Sequence, residues 1–157
     1  MKNFISFFAF FVIFILIGCK KSKYQTKPQI KVTSTSNKVV PPGGFLYITL
    51  EYTDKEGDLS DSMIFIKKVW KNQRLPSSFK ANTIPYKLPH FPNEPQGEIQ
   101  LNLNNTTLTF AEHPNVIPGT NPEQKEPDTL DLKIWVKDRA NNISDTVVVD
   151  NVVVINL

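Results

Sequence analysis

The chain has few of the residues that build catalytic and metal centres. Among its 157 residues there are one Cys and two His. A lone Cys excludes an internal disulfide and every multi-cysteine zinc cluster. His90 and His113 each stand beside a proline-rich stretch, and H-E-x-x-H and G-x-S-x-G are both absent. Ser77-Ser78-Phe79-Lys80 fits S-x-x-K but lacks the S-D-N and K-T-G companions of that chemistry. No enzyme is expected. The formal charge is only +3, from 18 basic and 15 acidic residues, so there is no dense basic patch and no expected nucleic-acid partner. No apolar run reaches the ~20 residues that a membrane-spanning helix needs. The length suits one domain.

What is present begins with a leader. After Met1-Lys2-Asn3, the stretch from Phe4 to Ile17 is apolar apart from Ser6. Its length and short positive start match the core of a secretory signal peptide. Leu16-Ile17-Gly18-Cys19 then resembles the lipobox of bacterial lipoproteins. That resemblance implies a diacylglyceryl group on the Cys19 thiol, cleavage before Cys19 and acylation of the new amino terminus. At ~0.8 kcal/mol per buried methylene, two or three chains would hold the protein without a transmembrane helix. The expected division is 1–18 signal peptide, 19–29 acylated Cys and flexible tether, and 30–157 folded domain. The tether carries Lys20, Lys21, Lys23 and Lys27 and ends near Pro28. Acidic residues directly after Cys19, which resemble a surface-export signal in some Bacteroidetes lipoproteins, are absent. The expected location is therefore the cell envelope at the outer membrane, facing the periplasm.

Beyond residue 29 the hydrophobic period is two. Strands are expected at 30–32, 45–53, 63–70, 98–103, 130–138 and 144–157, with 106–110 continuing the fourth or turning back beside it. Asp150-Asn151 predicts a bulge or a change of partner, with Val147, Val149, Val153, Ile155 and Leu157 as the inward set. Trp70 is assigned to the core. The stretches 72–97 and 111–128 are proline-rich, and neither can be a central strand. The expected fold is all-β: an immunoglobulin-like β-sandwich of about seven strands with two long proline-rich loops.

Two turns carry a resemblance. Tyr52-Thr53-Asp54-Lys55-Glu56-Gly57-Asp58-Leu59 is similar to the loop after the second strand in PKD-like and cadherin-like domains of bacterial surface proteins. Val136-Lys137-Asp138-Arg139-Ala140-Asn141-Asn142 resembles their last hairpin, D-x-A-G-N, with Asn141 at the Gly position. Asn tolerates φ > 0, so the turn survives that change. With the lipobox, the chain resembles small Bacteroidetes-type lipoproteins carrying such a domain.

Four carboxylates follow as candidates for calcium: Asp54, Glu56, Asp58 and Asp138. In an immunoglobulin-like sandwich these two loops share one end, and together they could supply part of the 6–8 oxygens that Ca²⁺ takes. The alternative is that Asp54 and Asp138 cap their own turns while Glu56 and Asp58 stay solvated. No other cofactor is expected. Trp135 projects from the polar side of its strand between Lys133 and Lys137, available to stack on a sugar or a protein, or to be covered by the 72–97 loop. Ser62, Thr129 and Thr146 each sit in D-[ST]-apolar, which resembles an O-glycosylation motif of Bacteroidetes envelope proteins. The expected function is a lipid-anchored, non-catalytic module that presents loops to a protein or glycan partner. The alternatives are a carbohydrate-binding accessory protein using Trp135 and, third, a hydrolase built around His90 or His113.

Overall fold

A computed structural model describes residues 25–73, 82–110, 117–121, 124 and 126–155. Eight strands and one helical turn follow in order. They are β1 (Gln29–Thr35), β2 (Val39–Val40), β3 (Phe45–Thr53), β4 (Met63–Trp70), β5 (Asn82–Lys87), β6 (Gln96–Asn104), α1 (Asn105–Leu108), β7 (Asp128–Lys137) and β8 (Val147–Val154). They form two sheets, β1-β3-β6 and β2-β8-β7-β4-β5. Every pairing is antiparallel except the two-residue β2, which runs parallel to β8. The chain changes sheet at β1–β2, β2–β3, β3–β4, β5–β6 and β6–β7. This is the expected sandwich of immunoglobulin-like type, with β1, β3 and β6 facing β4, β7 and β8.

Alternation builds the core. Leu46, Ile48, Leu50 and Tyr52 of β3 and Ile99, Leu101 and Leu103 of β6 point inward. They meet Ile64, Ile66 and Trp70 of β4 and Leu130, Leu132, Ile134 and Val136 of β7. One inward position of β4 breaks the pattern. Lys68 is 3% exposed, and its ammonium donates to the carbonyls of Thr107 (3.0 Å), Leu108 (3.4 Å) and Thr109 (2.8 Å) while lying 4.6 Å from the centre of the Phe110 ring. An ammonium has three donors, and here each has a carbonyl.

Three sequence expectations change. Residues 106–110 are not strand: Asn104 accepts from the Thr107 N–H at 2.7 Å and caps a single helical turn, and Phe110 then stacks on Trp70 with ring centres 4.5 Å apart. The first proline-rich stretch contains a strand, β5, with Pro85 inside it. It is an edge strand, the place where a missing N–H is tolerated. The bulge in β8 is present, but the phase after it is reversed. Asn151 adopts φ = 52° and donates its N–H to Asp131 Oδ1 at 3.0 Å. That extra residue turns Val152 and Val154 inward and leaves Val153 half-buried and Ile155 39% exposed. Leu157 lies outside the described residues.

The sandwich has two unlike ends. At one, β3 and β7 finish and β1, β4, β6 and β8 begin, as the pairs Gln29 with Thr53 and Thr53 with Gln96 fix. We call this the acidic end. At the other, β4 finishes and β5 begins, and β6 runs into α1 before the chain re-enters at Asp128. Both long connections, after β4 and after α1, therefore leave from and return to that far end.

Candidate functional site

The acidic end is assembled from two turns. β3 stops at Thr53, where the Asp54 N–H leaves the ladder and donates to Pro95 O at 2.9 Å. The Asp54 side chain turns back, and its Oδ2 accepts the Asp58 N–H at 2.9 Å. Gly57 has φ = +65°, and a Cβ there would stand 3.0 Å from the backbone of Glu94, so the loop needs glycine twice over. Across the sandwich, Asp138 follows the last residue of β7. Its Oδ1 accepts the Asn142 N–H at 2.7 Å and its Oδ2 accepts Asn142 Nδ2 at 2.8 Å. Asn141 adopts φ = 72°, the conformation expected of the residue in the Gly position.

These turns bring three carboxylates together. One oxygen from each of Asp54, Asp58 and Asp138 lies within 4.8 Å of the others. Asp54 is 0% exposed and Asp138 is also buried. Asp54 Oδ1 and Asp58 Oδ1 are both buried and accept no hydrogen bond. Burial pushes the Asp54 carboxyl up to about 6. The neighbouring Asp58 and Asp138 charges push the same way, against the lowering effect of the Asp58 N–H. Tyr52 is raised as well, first by burial, then by Glu94 and Asp54. Glu56 does not join the group. It is exposed, and its nearest ion-pair partner is Lys55 at 4.0 Å.

Sequence reading missed Arg139. Its Nε donates to Asp58 O at 3.3 Å and its Nη2 to Asn93 Oδ1 at 3.2 Å, so it straps the last hairpin to the β3–β4 loop. Residues before β1 also contact the domain. Gln25 O accepts the Lys55 N–H at 3.1 Å, Lys27 pairs with Asp145 at 2.5 Å, and Pro28 is buried. Residues 25–28 therefore already lie on the acidic end.

Trp135 sits on the outer face of the five-stranded sheet, half-buried, and stacks on its cross-strand partner Phe65 with centroids 5.5 Å apart and planes 8° apart. Pro85 is Phe65's partner on the other side. A groove of about 270 Å³ opens between the edge strands β5 and β6, walled by Tyr86, Leu88, Phe91, Ile99 and Gln100. Ser62 is 5% exposed and its hydroxyl donates to Leu59 O at 2.6 Å. Thr129 is half-buried, and Thr146 is exposed.

His90 does find an acid. Its Nδ1 is 2.7 Å from Asp61 Oδ2, and the Asp61 carboxyl is lowered by His90 first and Lys87 next. Ser60 Oγ stands 3.5 Å from the same Nδ1. In a nucleophile relay the hydroxyl and the acid occupy opposite ring nitrogens; here they share one. Ser60 Oγ instead accepts the Phe91 N–H at 3.0 Å and secures that turn. Cys19, Ser77, Ser78, Lys80 and His113 lie outside the described residues.

No protein-family model and no curated protein matches the chain. Among solved structures, it aligns with a β-glucosidase from Listeria innocua in complex with gluconolactone, at 13% identity and a TM-score of 0.38. The alignment covers 78% of this chain and 16% of that one. Among the described residues no helix is long and apolar enough to cross a membrane.

Proposed function

We propose that the chain is a lipid-anchored envelope protein, held through Cys19, whose sandwich is a non-catalytic binding or structural module for a protein or glycan. The observation that carries this reading is the polarity of the domain. The tether enters at the acidic end, where Gln25 is bonded to Lys55. The two long connections, after β4 and after α1, leave and return at the opposite end, whereas the shorter segment with Pro89, Pro92 and Pro95 lies at the acidic end. Gln25 lies six positions after Cys19, a reach of at most ~20 Å. The acidic end would thus stay close to the head groups while the loops face away from the bilayer, where loops carry recognition. The leader and the absence of acidic residues after Cys19 favour the periplasmic side of the outer membrane.

A second reading is carbohydrate binding. It is favoured by the Phe65–Trp135 stack on an outer sheet face and by the Tyr86 and Gln100 groove, because aromatic faces and amides are what sugars meet. Two measurements test the pair. Cys19→Ser should move the chain from the membrane fraction to the soluble one, and an unchanged distribution contradicts anchoring. Titration of the chain with envelope polysaccharides should change the fluorescence of Trp135 if sugars bind there. A response that survives Trp135→Ala contradicts that placement.

A further inference from the structure

We propose that Asp54, Asp58 and Asp138 bind one calcium ion, which ties the β3–β4 loop to the β7–β8 hairpin and so fixes the point at which the tether joins the fold. Turn capping accounts for part of the cluster. Asp138 uses both oxygens on Asn142, and Asp54 uses Oδ2 on the Asp58 N–H. Capping leaves Asp54 Oδ1 and Asp58 Oδ1 unexplained, since both are buried and accept nothing, and their carboxylates belong to the group of three. A buried carboxylate oxygen without a donor is costly, and two like charges beside it make it more so. A divalent cation reverses the sign of both effects. Arg139 is close but directs its donors to the Asp58 carbonyl and to Asn93, leaving the three carboxylates open to an ion.

The chemistry selects the ion. All three groups offer hard oxygen, with no His or Cys, which suits Ca²⁺ or Mg²⁺ rather than Zn²⁺. Two oxygens at the ~2.4 Å Ca²⁺ distance stand at most ~4.8 Å apart, and each pair in the group meets that limit. Mg²⁺ needs ~2.1 Å and holds its waters more tightly. The consequence for the tether follows from Lys55. It is the residue after Asp54, and its N–H holds Gln25 O. An ion that rigidifies Asp54 and Asp58 rigidifies that bond.

The test uses the full chain in detergent, dialysed free of divalent ions. At the 10⁻⁴–10⁻³ M affinity typical of extracellular calcium modules, 10 mM CaCl₂ should raise the melting midpoint by about 3–10 °C. The rise should vanish in Asp54→Asn and in Asp58→Asn and persist in Glu56→Gln. Asp54→Asn should still fold, with a calcium-free midpoint at or above that of the unaltered chain, because it removes a buried charge. No rise, a rise kept by both Asn variants, or an equal rise with MgCl₂ at the same concentration overturns the calcium site. Hydrogen exchange at the Lys55 amide should slow several-fold with calcium, and an unchanged rate overturns the link to the tether. That link rests on the anchored reading, whereas the ion response does not. The same titration on Cys19→Ser therefore distinguishes a failed anchor from a failed site.

Discussion

The carbonyl of Gln25 accepts the backbone N–H of Lys55 at 3.1 Å, joining the last residues of the tether to the loop that carries Asp54 and Asp58. One hydrogen bond of this kind contributes ~1 kcal/mol, but Lys27 with Asp145 and the buried Pro28 reinforce it. Removing the lysine charge by Lys27→Ala should leave global stability within ~0.5 kcal/mol, because both partners are exposed. Proteolysis after Lys20, Lys21 or Lys23 should quicken. Equal cleavage rates in both chains contradict a docked tether.

Gly97 is paired with Tyr52, and a Cβ at Gly97 would lie 2.8 Å from the Tyr52 ring. The ring is buried and packs against Phe91, so it has little room to retreat. Gly97→Ala should cost about 1–3 kcal/mol as an overpacking change, read as a lower urea midpoint with unchanged slope. A neutral substitution contradicts this packing.

Lys68→Met keeps the volume of the side chain but strips the donor from three carbonyls around α1. A loss of about 2–4 kcal/mol is expected, measured by denaturant unfolding. A gain in stability would mean that these carbonyls find water instead.

Most of the sandwich could be read from alternation in residues such as Leu46–Tyr52 and Leu130–Val136, because burial of one sheet face imposes a period of two. Lys68 could not, since its inward place depends on carbonyls some 40 positions away. The phase of β8 could not either. Asp150-Asn151 signals a bulge, but the number of residues absorbed is set by the bond from Asn151 N–H to Asp131. In the acidic cluster, the immunoglobulin-like topology that the two turns imply puts Asp54, Glu56, Asp58 and Asp138 at one end. It could not exclude Glu56, which the folded turn leaves exposed.

Asn151 tests that bulge. Asn151→Ala should cost about 1 kcal/mol, because φ = 52° crowds a Cβ that cannot bond locally, and Asn151→Gly should be nearly neutral. Comparable thermal midpoints for the two variants contradict the left-handed geometry.

In calcium-free protein, Asp54 sets a pH dependence of definite sign. Its folded carboxyl is raised to about 6, mainly by burial, against ~3.9 in an unfolded chain. The folded state therefore holds the proton more tightly, and this group's contribution to stability falls as pH rises from about 4 through 6. Asp61 and Asp150, both lowered by cationic neighbours, act in the opposite direction. The difference between the unaltered chain and Asp54→Asn isolates the effect. Urea midpoints from pH 4 to 7 should show the unaltered chain losing ground to the variant by up to ~3 kcal/mol. A difference that stays flat contradicts the buried carboxyl.

The most direct measurement is the intact mass of the protein extracted from the membranes of its host. Anchoring through Cys19 predicts a chain that starts at Cys19, lacks residues 1–18 and carries the added mass of two or three acyl chains on that residue. A mass equal to the full 157-residue chain, with an unmodified Cys19 thiol, would contradict it.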